Sequence, residues 1–200
     1  MSKARNIQVY VQALSQLAPL SKSDFPDIQH YLAYKKQQIY IQRNHYLTEF
    51  TQQSVRNTDI AVSEFGKPFL KQRPDISFNH SHSQQHYALA MSHHLQDIGV
   101  DVEDLARKVR FEALASHAFH PHELEVWKAL EHSKDHWFKV WTTKEAVLKA
   151  SGLGIRMNLN ELDTRVHPLQ NGGMCSHPKL GTVTYKNFQL AHVMLTVAWR

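Results

Sequence analysis

The spacing of hydrophobic and polar positions changes along the chain, and the changes mark out its elements. Residues 7–11 (Ile-Gln-Val-Tyr-Val) alternate, the two-residue period of a half-buried strand. A helix or turn over 12–18 is ended by Pro19. From Asp27 to about Arg56, Tyr31, Tyr34, Ile39, Tyr46, Leu47 and Phe50 recur at three- and four-residue steps, which predicts helix. A break near Gln37 is expected, because a single helix over that whole stretch is long for a small domain. A short segment over 60–65 leads to Gly66-Lys67-Pro68-Phe69, a turn that presents Lys67. A strand over Ile76–Asn79, a loop over His80–Ser83 and a strand over Tyr87–Met91 follow. A hairpin turn over His93–Asp97 then returns Ile98–Glu103 antiparallel. Helices are predicted over 106–117, Pro121–Glu131 and Trp137–Ser151, the last stopped by Gly152. His167–Pro178 reads as loop, and Thr182–Tyr185, Phe188–Leu190 and Val193–Trp199 as closing strands. Similar runs of strand and helix occur before and after about residue 98. The expected architecture is therefore α+β, with two pseudo-symmetric lobes over 1–97 and 98–200, antiparallel sheets, and a site in the cleft between them.

Composition narrows the setting. With 200 residues, 42% of them hydrophobic, the chain can bury a core. Cys175 is the one cysteine, so no internal disulfide forms, and a reducing cytoplasmic environment is expected; in its Gly- and Pro-rich surroundings Cys175 reads as a bystander. No long apolar run follows Met1–Ile7, so no signal peptide is expected, and no stretch approaches the length of a membrane span. The formal charge of +5 favours anionic partners. The basic residues are scattered and lack the aromatic interleaving of RNA-binding motifs, which argues against nucleic acid as the partner.

Two stretches carry the candidate chemistry. In Ile98-Gly99-Val100-Asp101-Val102-Glu103, strand alternation sends Val100 and Val102 into a core and Asp101 and Glu103 together to the other face. In Phe138–Lys149, helical spacing puts Trp141, Glu145 and Lys149 on one face. Asp101, Glu103 and Glu145 then form a candidate Mg²⁺ site, because this hard cation takes oxygen ligands and accompanies phosphates, with Lys149 one turn on to meet a phosphate. The plainer alternatives are a solvated acidic strand face and an ordinary helix-stabilising pair. Lys35, Lys36 and Arg43 form a basic patch, either a solvated helix face or a phosphate clamp. His80, His82 and His86 suggest the spacing of a metal hydrolase but lack its aspartate, and His117, His120 and His122 lack a metalloprotease arrangement. One histidine beside a phosphate is the better use for His82.

These pieces resemble the Sfp-type 4′-phosphopantetheinyl transferases. The resemblance lies in Gly66-Lys67-Pro68, Phe78-Asn79-His80-Ser81-His82-Ser83, Ile98–Glu103, Phe119 with Glu123, and Trp141-Thr142-Thr143-Lys144-Glu145 with Lys149, Gly152 and Gly154. It covers about residues 66–154. It implies a monomer that moves the phosphopantetheine arm of coenzyme A onto a serine of an apo acyl or peptidyl carrier protein, releasing 3′,5′-ADP. By that resemblance Asp101, Glu103 and Glu145 hold Mg²⁺, and these three with Lys149 are the catalytic set. Arg43, Lys67, Ser81, His82, Lys144 and Lys149 contact coenzyme A, with Lys35 or Lys36 joining at the 3′-phosphate. Glu145, with Glu103 behind it, is the candidate acceptor of the serine proton, a water on the metal being the other possibility. The positive charge suits acidic carriers. The competing reading is a lobe pair that binds coenzyme A or a carrier without transfer.

Overall fold

A computed structural model of the chain describes residues 6–153 and 157–200. Gly154 of the motif and the N-terminal residues 1–5 lie outside the described residues. In order, the elements are β1 (Gln8–Ala13), α1 (Leu14–Leu17), α2 (Ile28–Thr51), β2 (Ile60–Val62), β3 (Pro68–Leu70), β4 (Ser77–His82), β5 (His86–Ser92), β6 (Ile98–Asp104), α3 (Phe111–Ala118), α4 (Pro121–Ala129), α5 (Lys134–Ser151), β7 (Gly172–His177), β8 (Gly181–Leu190) and β9 (Val193–Trp199). The fold is α+β with antiparallel sheets. One sheet has the order β1-β5-β4 and a second β6-β9-β8-β7, while β2 and β3 form a separate hairpin. In each large sheet the first strand in sequence pairs with the last.

Alternation along β5 explains how the layers stack. Tyr87, Leu89 and Met91 join Leu14, Ile39, Leu47 and Phe78 in a core beneath α2. Ala88 and Ala90 point the other way, against Ile98, Val100 and Val102 of β6 and Val193, Leu195 and Val197 of β9. Small alanines there let the second sheet come close. The third core lies between α5 and its sheet, with Trp137, Phe138, Val140, Ala146, Val147 and Ala150 against Val183, Tyr185, Met194 and Ala198. Helix α5 is also pinned by polar bonds. Thr142 Oγ1 lies 2.8 Å from Thr196 Oγ1, and Asn187 Nδ2 donates to both Thr143 Oγ1 and Thr196 Oγ1 at 2.8 Å. Ser133 caps its first turn and Gly152, at φ 71°, ends it.

Several expectations are corrected. Strand β6 is not the return arm of a hairpin with β5. Both edges of β5 are already paired, to β1 and β4, and β6 pairs with β9. Helix α2 runs unbroken for 24 residues, since it contains neither Gly nor Pro and Gln37 continues the turn. His80, Ser81 and His82 extend β4 rather than forming a loop. The first helix of the second half starts only at Phe111. Part of the 167–178 segment is the edge strand β7, on which Cys175 is buried, and Thr182–Leu190 belongs to one continuous strand. No described helix is long and apolar enough to cross a membrane.

Candidate active site

The site begins with a glycine. A Cβ on Gly99 would lie 2.1 Å from the carbonyl oxygen of Ala146 and 2.3 Å from the amide nitrogen of Ala150. Helix α5 therefore rests directly on the backbone of β6, which only glycine permits. That contact sets the depth at which Glu145 and Lys149 meet Asp101. Residues 141, 145 and 149 are the less buried stripe of an otherwise buried helix. Lys149 Nζ lies 2.6 Å from Asp101 Oδ1 and donates to Ser81 Oγ at 2.9 Å, while Ser81 Oγ donates to Asp101 Oδ1 at 2.9 Å. Arg107 Nη1 lies 2.6 Å from Glu103 Oε1. Asn79 joins the two sheets by accepting the Val100 N–H at 3.0 Å.

The carboxylates are buried, contrary to a solvated strand face: Asp101 and Glu103 are 5% and 8% exposed. Burial raises the pKa of Glu103, with Asp101 adding to the rise and Arg107 opposing it. Burial likewise raises that of Glu145, helped by the charges of Asp101 and Glu103 and opposed by Lys149. The three acids thus share one electrostatic environment. Among the described residues, no three His, Cys, Asp or Glu side chains are gathered as a finished metal cage. The donor set nevertheless fits a hard cation: three mutually repelling carboxylates, with Asp101 Oδ2 buried and without a hydrogen-bond partner.

A pocket of about 350 Å³ opens beside this cluster, lined by Gly66, Lys67, Pro68, Asn79, His80, Glu145, Lys149 and Met157 among others. His80 was not singled out by sequence for this place. Its Nδ1 is buried without a partner, and burial, with the nearby charges of Arg43, His82 and Lys149, lowers its pKa to about 3, so the ring is neutral. The signal was there in the alternation of β4, which gives His80 and His82 the same side but places His82 at the exposed end.

The other candidates divide. Glu145, Lys149 and Lys67 line the pocket, and Ser81 joins the Asp101–Lys149 cluster. The Lys67 ammonium is engaged by Asp97 at 2.9 Å and by the Ala150 carbonyl at 2.6 Å, which ties the β2–β3 hairpin to the end of α5. Arg43 is buried, stacks over Tyr40 at 4.5 Å and donates to Asn44 and Asn57. Lys36 sits on the same Tyr40 ring and Lys35 on Tyr31, so the three cations form no single patch. His82 is exposed, with one long contact of 3.4 Å to the Ser83 carbonyl. Lys144 is a correction. It is wholly buried, pairs with Glu123 at 2.7 Å and donates to the Leu159 and Leu162 carbonyls, so it cannot reach a ligand in the pocket. Glu123 also accepts from the amides of His120 and Thr164, which makes it the anchor of this buried network.

Comparison with known proteins follows the same ground. Residues 97–193 match the family model of the 4′-phosphopantetheinyl transferase superfamily. The 4′-phosphopantetheinyl transferase HetI of Nostoc sp. is 36% identical over 118 residues, 56% of this chain and 49% of that protein. The 4′-phosphopantetheinyl transferase Sfp of Bacillus subtilis is 30% identical over 120 residues, 58% of this chain and 52% of that protein. The chain spans about half the length of the curated relatives it matches. The crystal structure of Thermotoga maritima holo-[acyl-carrier-protein] synthase overlays with a TM-score of 0.41 at 14% identity, covering 53% of this chain and 64% of that one. The matched segment contains Asp101, Glu103, Glu145 and Lys149, and over it the chain is similar to the 4′-phosphopantetheinyl transferase superfamily.

Proposed function

We propose that the chain transfers the 4′-phosphopantetheine arm of coenzyme A to a serine of an apo carrier protein. The observation that carries this reading is that Glu145 and Lys149 line the 350 Å³ pocket while the Lys149 ammonium pairs with the buried Asp101. An anionic ligand entering there meets the Lys149 ammonium, the neutral His80 ring and the amide of Asn79. The pocket draws its walls from both halves of the chain, residues 65–80 and 145–159, which supports two lobes over 1–97 and 98–200 with coenzyme A between them.

In the reaction the serine oxygen forms a bond to the β-phosphorus of coenzyme A. The bond from that phosphorus to the bridging oxygen breaks, and its electron pair leaves on 3′,5′-ADP. Glu145 is suited to take the serine proton, because burial and its acidic neighbours raise its basicity toward the working pH. Lys149 is placed to offset negative charge on the departing pyrophosphate oxygen. Magnesium, held by Asp101, Glu103 and Glu145, would supply charge neutralisation at the pyrophosphate. Arg43 is the proposed further cation for coenzyme A, its guanidinium held by Asn44 and Asn57. The net charge of +5 suits acidic carriers. The proposed setting is a cytoplasmic monomer acting on protein and coenzyme A, with neither nucleic acid nor membrane as partner.

The test is to incubate the protein with coenzyme A, Mg²⁺ and a panel of apo carrier proteins and read intact mass. A gain of one phosphopantetheine that is lost on adding EDTA supports the reading. No gain on any carrier while coenzyme A still binds would replace transfer by binding alone.

A further inference from the structure

The acidic cluster is held by cations that belong to the chain itself. The Lys149 ammonium is fixed at two points, 2.6 Å from Asp101 Oδ1 and 2.9 Å from Ser81 Oγ. Ser81 closes the triangle by donating to the same aspartate oxygen. Two residues along β6, Glu103 is held by Arg107. Asp101 Oδ2 remains buried and unpartnered. Three acids in one buried region thus share two internal cations, and Asp101 Oδ2 is left without a partner. Burying such acids without counter-charge is costly, so a protein that must fold before it is loaded needs a cation there from the start. Asp101 and Ser81 are fixed on strands, whereas the ammonium rides on a flexible four-carbon stem that can relocate it.

We propose that Lys149 is a place-holder cation: in the metal-free protein its ammonium occupies the cation position against Asp101, and loading a divalent ion requires it to leave Asp101 Oδ1. The inference rests on reading Asp101, Glu103 and Glu145 as a magnesium site. It gives the ammonium somewhere to go, because Lys149 already lines the pocket. Arrival of the metal and presentation of the ammonium to an anionic ligand are then one event.

Mn²⁺ alone, titrated without coenzyme A and followed by the electron paramagnetic resonance signal of the free ion, tests this directly. Lys149→Met is expected to bind Mn²⁺ at least about tenfold tighter than the unaltered protein. Ser81→Ala, which removes one anchor of the ammonium, shifts affinity the same way by less, and Asp101→Asn loses binding. The metal-free Lys149→Met protein melts below the unaltered one, and saturating Mn²⁺ raises its Tm by more. Lys149→Gln, which keeps length and polarity, gives the same reading should the methionine variant not fold. Affinity in Lys149→Met and Lys149→Gln equal to or weaker than that of the unaltered protein, with Asp101→Asn still abolishing binding, overturns the place-holder and leaves the metal site standing. No Mn²⁺ binding by any of these proteins overturns both.

Discussion

Replacing Gly99 by alanine probes the seating of α5 on β6. The added Cβ would sit 2.1 Å from one backbone atom of the helix and 2.3 Å from another, whereas real Cβ contacts stay beyond 3.0 Å. Neither neighbour is a side chain that can rotate away. The helix must therefore lift by at least about 0.9 Å, the gap between 2.1 Å and 3.0 Å. Overpacking of this kind costs about 1–3 kcal/mol, and the rigidity of both backbones points to the upper end. For a chain of this size, 3 kcal/mol corresponds to a fall in Tm of roughly 6–12 °C. The same lift carries Glu145 and Lys149 away from Asp101, and a displacement near 1 Å can cost about 10²-fold in rate. Thermal melting by circular dichroism reads the first effect, and the initial rate of the proposed phosphopantetheine transfer, read by intact mass, the second. A Gly99→Ala protein that melts with the unaltered one and turns over normally would show that the helix is not set by this contact.

Three further outcomes are expected. Glu145→Gln should slow transfer by about 10²–10⁴-fold yet raise Tm at neutral pH. The folded pKa of Glu145 lies above its ordinary 4.5, so ionising it destabilises the fold above that pH, and the gain should vanish below about pH 4, where both states are protonated; a variant less stable than the unaltered protein at pH 7 refutes this. Lys144→Met should cost about 3–5 kcal/mol by leaving Glu123 buried without its cation, while a Glu123→Gln, Lys144→Met double variant recovers part of the loss in chemical denaturation. His136 is buried with both ring nitrogens unpartnered and a pKa lowered to about 4 by burial, so it is neutral in the fold and gains a proton first in the unfolded chain. Stability present above pH 6.5 should fall as pH drops toward 4, and His136→Leu should flatten that slope; an unchanged slope by urea titration would remove His136 as its source.

The parts of the site legible in the sequence are those set by local periodicity. Alternation in 98–103 separates Val100 and Val102 from Asp101 and Glu103, and the four-residue step aligns Trp141, Glu145 and Lys149, and both patterns hold in the structure. Lys144 could have been read from the same wheel. It falls on the face of Trp137, Val140 and Val147, and an ammonium on an apolar stripe needs an internal partner, here Glu123. Gly99 carried its signal too, since a glycine inside a strand marks close backbone approach. Strand partners were not legible. A five-residue connection between β5 and β6 looks like a hairpin, and only the prior claim of β1 and β4 on both edges of β5 forbids it. Nor could spacing show that Arg43 is buried beside His80, because α2 and β4 meet only through tertiary packing.

The pairing of first strand with last in each large sheet bears on how the chain can be taken apart. Every ladder of the β1-β5-β4 sheet is closed by residue 92, and no ladder of the second begins before residue 98. A cut in the 93–97 connection severs no β-bridge. Two separately made fragments would need to recover the alanine-floored contact between sheets and the polar bonds that cross it, among them Asn79–Val100, Ser81 with Asp101 and Lys149, His86–Asp104 and the Lys67 bridge to α5. Because the pocket takes its walls from both fragments, reassembly would restore the coenzyme A binding proposed above, which makes the connection a natural place to divide this protein into a ligand-reporting split pair.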